Sequence, residues 1–113
     1  MMAIMTQESH NRECARLSDE IIARKEKISG LRGEVSHLKT RIAEISREIR
    51  ALKDQIRNAA DKILAKVILT HQIENLELEQ NLSQTRLGEI ESDLGTEEFN
   101  LSFAEIRYAQ LNC

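Results

Sequence analysis

The sequence predicts an all-α protein: one long, near-continuous helix forming a parallel coiled coil. Three observations carry that reading. Ile21, Ile28, Val35, Ile42, Ile49, Ile56 and Ile63 recur every seven residues, with Leu17, Leu31, Leu38, Ile45 and Leu52 between them at 3-4 spacing. The 113 residues contain no Pro and no Trp, and 31% are charged. Aromatic residues make up only 3%, all in the last fifteen positions (Phe99, Phe103, Tyr108), too few for a three-dimensional core of ordinary composition.

Residues 1–9 are expected to form a frayed N-terminal tail, with Ser9 and Asn11 as candidate helix caps. The regular seam then occupies residues 10–69. With Ile21 at heptad position a, Cys14 also falls at a and His10 at d. β-Branched residues at a with mostly Leu at d favour two parallel strands. Flanking charges agree: in a parallel dimer Glu20 would meet Lys25, Glu34 would meet Lys39, and Glu48 would meet Lys53. Arg24 at d is a polar intrusion that a long side chain can tolerate by reaching past the seam. Cys14 is read as a small core residue. A bond to its symmetry mate is sterically possible, but a reducing cytosol opposes it.

Beyond Ala59 the seam weakens at Lys66 and Thr70. From Ile73 a second apolar frame runs through Leu76, Leu87, Ile90, Leu94, Leu101, Ala104, Tyr108 and Leu111, with Gln80, Ser83 and Glu97 in its polar gaps. The expectation is a phase shift near residues 70–76, a phase-shifted acidic coiled coil over 70–94, and a soft joint near Gly95. Residues 95–113 then form a helical anchor segment. Off the seam, Val67, Ile68 and Leu69 offer apolar surface to a further helix, and Phe99, Phe103 and Ile106 show the i, i+4, i+7 spacing that engages a groove.

Charge is divided along the chain. Through Lys66 there are 14 basic and 10 acidic residues (net +4), and from Val67 onward 2 and 9 (net -7), giving -3 in total. Such polarity can draw copies together head to tail. Arg47, Arg50 and Arg57 can also meet a polyanion such as acidic tubulin tails.

Other classes are set aside. The four glycines are scattered and form no phosphate loop, the three histidines lie far apart in sequence, and no carboxylate pair stands out, so neither enzyme activity nor a cofactor is expected. Cys14 and Cys113 match no metal-ligand spacing, so no metal is expected either. Basic-zipper DNA reading requires a dense basic arm before the seam, whereas Arg12 and Arg16 are interleaved with Glu8 and Glu13. No apolar run suits a membrane span, and the Met-rich start suits no signal peptide, so a cytoplasmic setting is expected.

The stretches His10-Asn11-Arg12-Glu13-Cys14, Asp19-Glu20-Ile21 and Arg24-Lys25-Glu26-Lys27-Ile28 resemble the N-terminal part of the Sjögren-syndrome nuclear autoantigen family, which includes the deflagellation-inducible proteins of algae. Beyond about residue 60 the chain departs from that pattern, apart from Glu98-Phe99-Asn100 and Phe103-Ala104-Glu105. The resemblance implies a single-helix protein that self-assembles laterally and end to end into fibrils and associates with microtubules at centrioles, basal bodies and cilia. The functional expectation is a self-assembling structural coiled coil. Its alternative is an adaptor, or a rod segment of a larger protein, that docks one specific partner, such as another coiled-coil protein.

Overall fold

The structure is a computed structural model and describes residues 6–113. It contains two long helices, α1 (Gln7–Asn58, 52 residues) and α2 (Ile63–Gln110, 48 residues). The near-continuous helix expected from the heptads is therefore corrected to a helical hairpin. The all-α class stands.

α1 starts earlier than expected. Thr6 caps it, its Oγ1 accepting from the Ser9 N–H at 3.0 Å, while His10 N–H donates to the Thr6 carbonyl at 2.8 Å. Gln7, Glu8 and Ser9 are thus the first helical turn rather than part of a frayed tail, and Glu8 there complements the helix dipole. Met1–Met5, the rest of the expected tail, lie outside the described residues.

The reversal falls at Ala59–Lys62. Ala59 N–H donates to the Ile56 carbonyl at 3.2 Å, and Lys62 N–H to the Ala59 carbonyl at 3.1 Å. Ala60 takes a left-handed φ of 50°. That conformation costs an L-residue roughly 1–2 kcal/mol, and glycine usually occupies it at helix C-termini. Ala60→Gly should therefore raise the stability of the hairpin by about 0.5–1 kcal/mol, the relief of strain being partly offset by a more flexible unfolded chain. Urea unfolding monitored by circular dichroism checks this.

Contacts divide the chain into two compact units. The turn unit is Glu34–Ile90; the disulfide unit joins the described residues through Gly33 with Glu91–Cys113. In both, the helix segments run antiparallel, because partner numbers on α2 fall as those on α1 rise. In the turn unit Glu34 meets Arg86 and Arg41 meets Glu79; in the disulfide unit Cys14 meets Cys113 and Arg24 meets Glu97. The parallel pairing of the heptads is thus replaced within the chain by an antiparallel one.

The buried face of α1 is the heptad seam itself. Leu17, Ile28, Ile45 and Ile49 are buried, and Ile21, Leu31, Val35, Leu38, Ile42, Leu52 and Ile56 are half-buried. On α2 the second frame turns inward: Ile73, Ile90 and Ala104 are buried, and Leu76, Leu87, Leu94, Leu101 and Tyr108 are half-buried, as is Leu111 just beyond the helix end. The tightest packing in the turn unit is Ile45, Ile49 and Ile73, flanked by Leu52, Ile56 and Leu76. Ile63 is corrected: it opens α2 and is 76% exposed, since the first frame ends at the turn.

The phase shift near 70–76 has the same cause. Lys66 and Leu69 are half-buried and lead at 3-4 spacing into Ile73 and Leu76, while Thr70 is exposed. The second frame therefore begins just after the turn, and a change of partner face takes the place of a phase shift within one continuous helix. α2 passes through Gly95 without interruption, and a Cβ there would meet open space, so that glycine lies on an outward face.

Candidate interaction site

The polar intrusions in the two frames meet each other. Arg24 Nη1 donates to Glu97 Oε2 at 2.9 Å, and Lys27 Nζ to Glu97 Oε1 at 3.0 Å. Arg24 also donates to Glu20 at 3.0 Å. Glu97 is only 8% exposed and both its oxygens are satisfied. A carboxylate this enclosed requires such partners. Arg24 is thus a specific partner of the opposite helix rather than a tolerated misfit.

The hydrogen bond from Lys27, then that from Arg24, outweighs burial and holds the Glu97 carboxyl below its ordinary pKa of 4.5. A carboxyl depressed on folding contributes stability above its unfolded pKa, and that contribution is lost as pH falls through the folded value. Stability should therefore drop as pH falls below about 4.5. Glu97→Gln should flatten this slope and lower the neutral-pH midpoint, because it leaves Arg24 and Lys27 without their counter-charge. Thermal melts between pH 7 and 3 check both. Glu79, beside Arg41, and Glu13, beside Arg16, are depressed in the same direction and keep part of the slope in the variant.

In the turn unit Arg41 is the organising cation. It donates to the two oxygens of Glu79 at 2.8 and 3.0 Å and lies 3.5 and 3.4 Å from Glu44 and Glu48. This fork geometry raises the guanidinium pKa, chiefly through the Glu79 bond. Gln80 Nε2 donates to Ser46 Oγ at 2.7 Å, joining a polar gap of the second frame to α1. The acidic residues assigned to a parallel partner chain find cations within their own: Glu20 pairs with Arg16 and Arg24, Glu34 with Arg86, and Glu48 with Arg41. In each unit, basic residues of the first half also meet acidic residues of the second, Arg24 and Lys27 with Glu97 in one and Arg41 with Glu79 in the other.

Several residues singled out from the sequence remain on the outside. Arg47 and Arg50 are exposed and make no ion pair among the described residues, whereas Arg57 pairs with Asp54 at 3.1 Å. Val67 and Ile68 are exposed beside Ile63 and Leu64, forming an uncovered apolar set next to the turn. Phe99, Phe103 and Ile106 form another in the disulfide unit. Phe103 is 67% exposed, and its ring centroid lies 5.9 Å from that of Phe99.

Cys14 departs from its expected role. It forms a disulfide with Cys113, 99 residues away, with the two Cα atoms 5.7 Å apart. His10 lies one turn before Cys14 on the same helix face, its Nε2 3.5 Å from Cys14 Sγ. One ring nitrogen of His10 and the two sulfurs fall within 4.8 Å of one another. Spacing rules could not reveal this set, since the hairpin alone brings Cys113 to α1. The signal in the sequence is that Cys14 lies at position a near the start of the first seam and Cys113 lies two residues beyond Leu111, the last residue of the second frame.

Among the described residues no helix is long and apolar enough to cross a membrane. No family model, curated protein or solved structure matches this chain. The chain is thus all-α, with antiparallel helix pairing in each of its two units and a disulfide in one of them.

Proposed function

We propose that the chain is a structural coiled-coil protein whose hairpins assemble side by side and head to tail into a scaffold or fibril associated with the cytoskeleton. The observation that carries this reading is the distribution of apolar side chains. The seams of both helices are spent on each other, yet each unit keeps an uncovered set, Ile63, Leu64, Val67 and Ile68 in one and Phe99, Phe103 and Ile106 in the other. Contiguous exposed apolar residues on a soluble surface mark association sites. The role is mechanical rather than catalytic, in the cytoplasm, whose reducing conditions favour the open form of the Cys14–Cys113 pair, and the resemblance of residues 10–28 points to microtubules at centrosomes, basal bodies or cilia. Arg47 and Arg50 supply free positive charge for an acidic filament surface.

Electron microscopy and sedimentation of the purified chain, at low and high salt, test this. Fibrils that dissolve on Phe103→Asp would support assembly through the aromatic set; a discrete monomer at every concentration and salt would rule assembly out. Co-pelleting with microtubules should weaken when Arg47 and Arg50 are changed to Glu and when the acidic tubulin tails are removed.

A second reading is an adaptor. The exposed Phe99, Phe103 and Ile106 present the anchor spacing with which one helix docks into the groove of another protein. Monomeric behaviour, together with a protein partner whose binding is lost on Phe103→Asp, would select this reading.

A further inference from the structure

We propose that reduction of the Cys14–Cys113 disulfide converts that part of the hairpin into a zinc site whose protein ligands are His10, Cys14 and Cys113. The inference uses none of the residues of the assembly surfaces and does not depend on them.

The geometry is nearly that of a bound ion. Zinc–sulfur bonds near 2.3 Å and zinc–nitrogen bonds near 2.0 Å place the donor atoms of a tetrahedral site about 3.5–3.8 Å apart. His10 Nε2 and Cys14 Sγ are already 3.5 Å apart, held there by their i, i+4 positions on α1. All three donors fall within 4.8 Å of one another. Only Cys113 Sγ has to retreat to open the third vertex. It can do so because it lies three residues beyond the end of α2, is exposed, and follows Asn112 in a left-handed turn with φ 55°. Two thiolates and a neutral imidazole form a soft ligand set that suits Zn²⁺ and balances its charge. Water takes the fourth position.

The chemistry balances. A dithiol reductant gives two electrons to the disulfide and is itself oxidised to a disulfide, while each released sulfur takes a proton. Zn²⁺ then displaces the two thiol protons, which pass to solvent, and His10 binds through the lone pair of its neutral ring. The oxidised chain holds the two helices through a covalent bond; the reduced chain holds them through the metal. Because zinc binds the folded arrangement, it should also restore stability lost on reduction.

The test uses the full chain, reduced, desalted under argon and titrated with Zn²⁺ against a chromophoric chelator, with Co²⁺ as a spectroscopic stand-in. The expected result is one ion per monomer, a thiolate-to-cobalt charge-transfer band bleached by Zn²⁺, and no uptake by the oxidised chain. His10→Ala should weaken binding by about tenfold or more, since even changes around metal ligands cost that much. Cys14→Ser and Cys113→Ser should each abolish the charge-transfer signature of the two-thiolate site. Circular dichroism follows folding throughout, and recovery of helicity on adding Zn²⁺ to a loosened reduced chain supports the site. No uptake by the reduced chain, uptake unchanged in His10→Ala, or half an ion per chain with dimer formation would each overturn it.

Discussion

Replacing Cys113 by Ser should lower the unfolding free energy by about 4 kcal/mol, the largest single effect expected for this chain. The disulfide closes a loop of 99 residues. In the chain-entropy account, a cross-link over a loop of about 100 residues removes up to about 4.7 kcal/mol of freedom from the unfolded state. The loss should appear in urea unfolding of the variant and, equally, of the reduced wild type without metal. Agreement between the two would assign the effect to the bond rather than to the side-chain change. A variant as stable as the oxidised wild type would show that the hairpin does not depend on the cross-link.

The second large effect is at Ile45. This side chain is 0% exposed and packs with Ile49 and Ile73 at the centre of the turn unit. Truncation removes buried methyl groups and leaves a cavity whose walls are long, stiff helices with little room to relax, so Ile45→Ala should cost about 2–5 kcal/mol. Ile63→Ala makes the matched control. The same heptad pattern nominates both residues, yet Ile63 is 76% exposed and should lose almost nothing. Denaturant midpoints for the pair separate a seam that ends at the turn from one that continues through it. Equal losses at both positions would favour a continuous seam and contradict the hairpin.

That comparison also shows what the sequence made legible. The faces of both helices were readable residue by residue, because burial imposes the 3-4 period whatever the partner is. Leu17, Ile28, Ile45, Ile49, Ile73 and Ile90 all belong to the two frames and all are buried. What the period does not encode is which helix supplies the opposing face. β-Branched residues at a and the e/g pairs described a parallel neighbour, but Glu20, Glu34 and Glu48 are satisfied by cations of their own chain.

The reversal was hidden for a local reason. Asn58-Ala59-Ala60-Asp61-Lys62 contains neither Gly nor Pro, and Ala is the best helix former. Tertiary packing overrides that propensity and places Ala60 in a conformation it disfavours. The traces left in the sequence were the change of frame, the opposite charges of the two halves, and a charge-matched pair among the polar gaps, Arg24 of the first frame and Glu97 of the second. Taken together, those three describe an antiparallel pairing. The cysteine pairing was hidden for the corresponding global reason: a separation of 99 residues is meaningful only once the chain is folded back.

The covalent connection from Cys14 round to Cys113 also makes the molecule a ring. A single backbone cut inside it, for instance beside the exposed Lys62, would open the ring without releasing a fragment. The two pieces would stay one covalent species until a reductant arrived. A machine that unfolds proteins by pulling a strand through a narrow pore would likewise meet two strands side by side at Cys14. Whether this chain can be cut apart or threaded is therefore decided by the redox state of one bond rather than by the strength of its seam.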